Sequence, residues 1–161
     1  MKRWIDRLRK ALPSQTTLAA HPWLQPFSSR LLDQQLWQLQ HEAVARGVAV
    51  GVFWAFAIPV AQMVMAVVHC TWWRANIPIA VSMTLVTNPL TIGPWLWLAY
   101  QLGVLFLGET SVVVAPQGLA ALTWLAEFGF PTLLGMGIFA VGGAVVGYLG
   151  VKLALRLKNL E

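Results

Sequence analysis

The chain has 161 residues, 58% of them hydrophobic and only 11% charged, with a formal net charge of +5. Soluble domains carry roughly a quarter charged residues, whereas between Arg46 and Lys152 the formally charged side chains are only Arg74, Glu109 and Glu127. So few charges cannot solvate a surface in water; an ordinary soluble domain is excluded for this stretch, and lipid is its expected solvent. The cations sit at the two chain ends and at one interior boundary, a layout that fits membrane topology and anionic headgroups rather than a nucleic-acid-binding face. Cys70 is the single cysteine, which excludes an internal disulfide and a Cys-based zinc site; no metal or cofactor is expected.

Residues 2–12 place Trp4, Leu8 and Leu12 at helical spacing among Lys2, Arg3, Arg7, Arg9 and Lys10. This predicts a basic amphipathic helix on the cytoplasmic leaflet, with a solvated tail as the alternative. The interleaved cations leave no continuous apolar core for a cleavable signal. Pro13 ends that segment, and residues 13–29, rich in Pro, Ser, Thr and Gln, read as a loop. From Leu31 to Ala45, the stripe Leu32, Leu36, Leu39 and Ala43 predicts a second amphipathic helix leading into the membrane. Residues 1–45 are thus expected to be a cytoplasmic amphipathic segment, and 46–161 a helical transmembrane domain.

The first apolar run, Gly47 to Trp73, is bracketed by Arg46 and Arg74 and interrupted by Pro59. One helix of roughly 27 residues would be about 40 Å long, more than a hydrocarbon core of about 30 Å requires. It is either a tilted, kinked span or a re-entrant hairpin turning at Ile58-Pro59. The second run, Ile77 to Leu107, is broken at Asn88-Pro89 and again at Gly93-Pro94; the third, Phe130 to Val151, ends in Lys152, Arg156 and Lys158. The positive-inside rule puts both ends in the cytoplasm, so the crossings must be even in number. A hairpin over 46–74 and a broken helix over 76–107 that crosses once satisfy this with the third helix, 128–158. Two crossings within the second run would allow only about 15 residues per leg, so the hairpin is favoured. The expected fold class is therefore all-α: a polytopic membrane protein with proline-broken and re-entrant helices, in the bacterial inner membrane. The pairs Gly47/Gly51 and Gly143/Gly147 are small-xxx-small spacings that let helix backbones approach, within one chain or between two. A loose resemblance between the first two runs suggests a pair of half-helix hairpins.

The stretch RANIPIAVSMTLVTNPLTIGPWLWLAYQLG, together with Pro59 and Gln62, carries a more specific pattern. A Pro and a Gln in a first apolar segment precede Arg74, Asn76 and Pro78; then come Asn88, Pro89, Leu90 and Thr91, and then Tyr100 and Gly103. In this order and spacing the chain resembles the uncharacterised bacterial membrane family catalogued as domain of unknown function 2062, over roughly residues 35–155. Ala61 stands where a glycine is expected in many relatives. The resemblance implies a membrane location and no particular activity.

Read from the residues alone, Asn88-Pro89 deep in an apolar run frees a backbone carbonyl one turn earlier. Asn76, Thr84, Thr87, Asn88 and Thr91 can satisfy such groups. Non-helical backbone at membrane depth is tolerated only inside protein or beside a watery cavity. A polar site formed by Arg46, Pro59, Gln62, Arg74, Asn76, Asn88, Pro89 and Tyr100 is therefore a candidate for binding a ligand; simple capping of broken helices is the slightly favoured alternative. Arg46 and Arg74 are expected to anchor helix ends at headgroup level or, second, to hold a lipid phosphate. His69 is expected to pack rather than relay protons, and Trp72, Trp73, Trp95, Trp97 and Trp124 to be interfacial or packed. No Walker loop, His-Glu-x-x-His or Gly-x-Ser-x-Gly occurs, so no enzyme activity is expected. Two functions remain in view. One is a transporter or flippase-like protein with an anionic lipid or small-molecule site at broken helices, working as a homodimer. The other is an accessory or scaffold protein that binds a partner enzyme or transporter. Nucleic acid is not an expected partner.

Overall fold

A computed structural model describes residues 15–58, 60–108 and 125–158, and among them every regular element is helical. The predicted helix over 2–12, Pro59, Glu109 and Trp124 lie outside the described residues. In chain order the α-helices are α1 (Gln15–Ala19), α2 (Ser28–Leu31), α3 (His41–Ala57), α4 (Gln62–Trp73), α5 (Ile77–Thr84), α6 (Ile92–Leu107) and α7 (Phe130–Lys158), with 3₁₀ turns at Pro22–Phe27 and Gln34–Trp37.

The segment before α3 corrects two sequence expectations. Residues 15–29 hold short helical turns where a loop is expected, and Leu31–Ala45 is not one helix. Asp33 Oδ1 accepts the N–H of Gln35 at 3.0 Å, which starts a tight turn, and Trp37 Nε1 donates to the Leu31 carbonyl at 2.9 Å. Leu24, Leu31 and Leu36 are buried against the later helices, while Leu32 and Leu39 of the expected stripe are exposed. A local side-chain acceptor and burial of alternate leucines outcompete helical periodicity here.

Helices α3 and α4 form an antiparallel hairpin. The chain turns between Ile58 and Ala61, and Ala61 adopts a left-handed φ of 59°. At the return end, Arg46 Nη1 donates to the Trp73 carbonyl at 3.1 Å, and the Asn76 N–H donates to the Ala43 carbonyl at 2.9 Å. Arg46 and Arg74 therefore lie at one end of the molecule, called the base below. Helix α5 then runs beside α3 toward the hairpin tip, close enough that a Cβ at Gly47 would stand 2.7 Å from the Asn76 carbonyl oxygen and one at Gly51 would collide with that of Ala80. Ala66, Val67, Cys70, Ile77, Ala80 and Val81 fill the resulting three-helix core.

Beyond the tip, α6 carries the chain onward instead of turning back. Gly103 backs onto the Pro131 carbonyl and Gly135 onto that of Ala99, so α6 lies antiparallel along the first part of α7. Farther along α7, Gly143 and Gly147 face Val52 and Val48 of α3. The glycine pairs thus pack helices within the chain. One long helix is flanked by α6 on its first half and by the hairpin on its second, and Phe56, Trp95 and Phe139 meet at the junction with ring centroids 4.9–5.6 Å apart. The second apolar run is accordingly one broken segment, not a second hairpin. Its break spans 85–91, and Gly93-Pro94 does not interrupt it, because Pro94 falls in the first turn of α6, where a missing N–H costs no helical bond.

The segment Glu127–Leu157 is 31 residues long and strongly apolar, and only 6% of its most apolar stretch is buried. It is long and apolar enough to cross a membrane. Val141, Val145, Val146, Leu149, Leu153 and Leu157 are exposed along α7, as are Leu105 and Phe106 on α6.

Candidate functional site

The polar residues singled out by the sequence fall into two groups separated along the hairpin. At the tip, the start of α4 meets the end of α5. Gln62 Nε2 donates to the carbonyls of Thr84 and Thr87, both at 3.1 Å. The Thr87 hydroxyl shares its single proton between the Ala55 carbonyl at 2.7 Å and Gln62 Oε1 at 2.9 Å. The last turns of α3 and α5 would otherwise leave carbonyls without partners, and this knot satisfies them. Asn88 builds the turn that follows: its Oδ1 accepts the N–H groups of Leu90 (2.8 Å) and Thr91 (3.1 Å), while Thr91 Oγ1 donates to the Val86 carbonyl at 2.7 Å. Pro89 sits exposed at the crown of that turn.

At the base, Asn76 is fully buried and ties three segments together. Its Oδ1 accepts the N–H of Ile79 at 3.0 Å as the cap of α5, and its Nδ2 donates to the Gln38 carbonyl at 2.8 Å. Every hydrogen bond that Gln62, Asn76 and Asn88 make to the chain thus caps or closes a break, and among the described residues no buried side-chain nitrogen or oxygen lacks a partner. Tyr100 lies apart from both groups, stacked on Phe128 with centroids 5.6 Å apart beside the opposite end of α7.

One concavity open to a ligand is a cleft at the base. Arg74, itself in a left-handed conformation with φ 51°, ends α4; with Trp72, Thr71, Leu36, Arg30 and Asp33 it lines a polar depression of about 420 Å³. The carboxylate of Asp33 accepts a backbone N–H, and among the described residues neither Arg30 nor Arg74 forms an ion pair. Two arginines from separate helical segments and one acid thus line the same depression, next to the exposed ring of Trp72. Planar forks of this kind suit phosphate and carboxylate oxygens. Arg30 is absent from the sequence-derived set: nothing in local spacing relates position 30 to position 74.

Arg46 faces another way, into an ionic cluster that joins α3 to α7. Glu42 contacts Arg46 Nε at 3.4 Å and Lys152 Nζ at 3.3 Å, and accepts the hydroxyl of Tyr148. That hydroxyl, with Lys152 and Arg46 behind it, holds the Glu42 carboxyl below its ordinary value, against an opposing contribution from desolvation. Among the described residues no group of three or more His, Cys, Asp or Glu side chains could hold a metal.

The arrangement defines a class: an all-helical protein with a sharply turned hairpin, a helix broken beside it, and one long apolar helix exposed along its length. Within that class, the family model described as an uncharacterised protein conserved in bacteria (DUF2062) matches residues 24–160, and the chain belongs to that family. Neither a curated protein nor a solved structure gives a significant match.

Proposed function

We propose that this chain is a multi-pass protein of the bacterial inner membrane that recognises an anionic lipid or small anionic molecule at its cytoplasmic base, in a transporter- or flippase-like role. In this reading the α3–α4 hairpin re-enters from the cytoplasmic side, α5–α6 crosses once as a broken segment, and α7 returns with Lys152 and Arg156 at the cytoplasmic surface. The apolar side chains exposed along α6 and α7 support burial in hydrocarbon, since water would not tolerate so large a patch. The observation that carries the functional part is the convergence of Arg30 and Arg74, without an ion-pair partner among the described residues, on one cleft at the end of the molecule where Arg46 also lies.

The test is binding and flux of phosphatidylglycerol in reconstituted vesicles, with Arg74→Ala and Arg30→Ala compared with the parent. Each variant is expected to weaken headgroup binding; unchanged binding and flux in both would sink the assignment. Topology is checked separately by Arg74→Cys, expected to react only from the cytoplasmic side of whole cells. An accessory role remains the second reading, favoured by the exposed apolar length of α7. A partner retained at fixed stoichiometry after mild detergent extraction would favour it over transport.

A further inference from the structure

A second concavity lies on another side of the hairpin from the arginine cleft. Ala49 and Phe53 of α3, His69 and Trp73 of α4, and Val145 and Tyr148 of α7 line a trough of about 380 Å³, within the range of small-molecule sites. Its walls are almost wholly apolar. The polar side chain within it is arranged: Trp54 Nε1 donates to His69 Nδ1 at 3.0 Å, and the ring stacks on Trp73 with centroids 5.5 Å apart. A donor on Nδ1 leaves the proton of a neutral imidazole on Nε2.

The trough is continuous with a charged mouth. Tyr148 closes its lower end, and the same hydroxyl that donates to Glu42 accepts from Lys152 Nζ at 3.3 Å. One turn farther on, His41, Glu42, Lys152 and Arg156 line a small polar pocket. On α7 the positions 141, 145, 148, 152 and 155, and on α3 the positions 42, 46, 49 and 53, recur at steps of three and four, so each helix presents trough and mouth on one stripe. The mouth gathers Arg46, Lys152 and Arg156 against the single carboxylate of Glu42. From Val141 to Lys152 the rise is about 16 Å, close to half of a hydrocarbon core of about 30 Å.

We infer that the groove between the hairpin and α7 is a binding site for one anionic lipid of the cytoplasmic leaflet, with an acyl chain in the trough and its phosphate at Arg46, Lys152 and Arg156. An apolar channel one leaflet deep that opens on an excess of cations matches such an amphiphile in both length and charge. A zwitterionic lipid gains less, because its own cation is repelled at the mouth. The inference rests on the membrane placement proposed above and is independent of the arginine cleft.

The full chain is reconstituted in vesicles containing phosphatidylglycerol with a photoactivatable diazirine in its acyl chain, and in parallel in vesicles of phosphatidylcholine with the same chain. Labelled residues are mapped by mass spectrometry. Labels are expected to concentrate on Phe53, His69 and Val145 over Val146 and Leu153, which are exposed on α7 outside the trough, and to do so more strongly with phosphatidylglycerol. Ala144 also lines the trough, and Ala144→Phe, which fills it, removes the first set of labels and leaves the second. Arg156→Gln, outside the Glu42 contacts, keeps the chain in place but lowers the preference for phosphatidylglycerol about fivefold, the weight of one interfacial cation. Equal labelling of both sets, or trough labels that ignore Ala144→Phe, overturns this site while leaving the membrane placement standing. No label on α7 from either lipid sinks both. Should Ala144→Phe fail to fold, an unaltered headgroup preference in Arg156→Gln overturns the site by itself.

Discussion

The tip and the base of the hairpin solve the same problem with opposite chemistry. Both hold helix ends together, yet the tip uses only neutral groups, Gln62, Thr87 and main-chain carbonyls, whereas the base adds the ion pairs of Glu42, Arg46 and Lys152 to the buried amide of Asn76. A neutral amide gives two donors and an acceptor without the cost of desolvating a charge. At the base the ion-pair partners are about one-third to two-fifths exposed, so charge costs little there and contributes correspondingly little. The difference is that the tip joins its helix ends without desolvating a charge, and the base keeps its charges where solvent can reach them, as the membrane placement proposed above requires.

The comparison can be broken most forcefully at the tip. Gln62→Leu removes the side-chain amide donor of the Thr84 and Thr87 carbonyls and leaves Thr84 only the long contact of the Thr87 hydroxyl at 3.5 Å; at about 1–3 kcal/mol for each lost bond, a loss of about 3 kcal/mol is expected in thermal unfolding in detergent, unaffected by salt. A variant as stable as the parent would show that the knot is incidental. Asn76→Ala removes the cap of α5 and the tie to Gln38, an expected loss of about 2 kcal/mol, read in the same melt and as faster hydrogen exchange at Ile79. Ala61→Gly acts in the other direction. A left-handed alanine is strained by about 1 kcal/mol or more, and the glycine should raise stability by about 1 kcal/mol; no gain would mean that the turn relaxes another way.

The ion pairs at the base should respond least to substitution and most to conditions. Glu42→Gln is expected to cost less than about 1 kcal/mol, since water screens the pairs. The folded carboxyl titrates below its ordinary value of 4.5, so its stabilising contribution is complete above that value and is lost as the pH falls through the lower folded value. A titration of melting temperature should show an acid-side decline in the parent that is shallower in Glu42→Gln. High salt should likewise narrow the gap between the two, whereas the Gln62→Leu deficit stays constant.

Much of this was legible in the residues. Proline at position 59 and arginines at 46 and 74 imply a chain that turns and comes back, and Asn88-Pro89 implies a break; the placement of that turn within a bilayer is the proposal above. The leucines of Leu31–Ala45 fit a helical stripe, yet the stretch is not one helix, because Asp33 and Trp37 make local bonds that periodicity does not register. Gly93-Pro94 resembles a second break because a proline in the first turn of a helix looks, in sequence, like one in the middle. Ala61 carried a usable signal: a glycine is expected there, and the backbone is indeed left-handed.

By itself, then, the sequence determined the helical class, the apolar length of α7, the breaks at Pro59 and at Asn88-Pro89 and the residues able to cap them, because these follow from composition, proline chemistry and spacing along a single chain. The tertiary structure alone decided that Gln62 serves Thr84 and Thr87, that Arg30 joins Arg74, that Glu42 reaches Tyr148 and Lys152, and that a trough separates the hairpin from α7. Those groups lie in different helices, and hydrogen bonds, ion pairs and cavities depend on distances through space, which residue order does not encode locally.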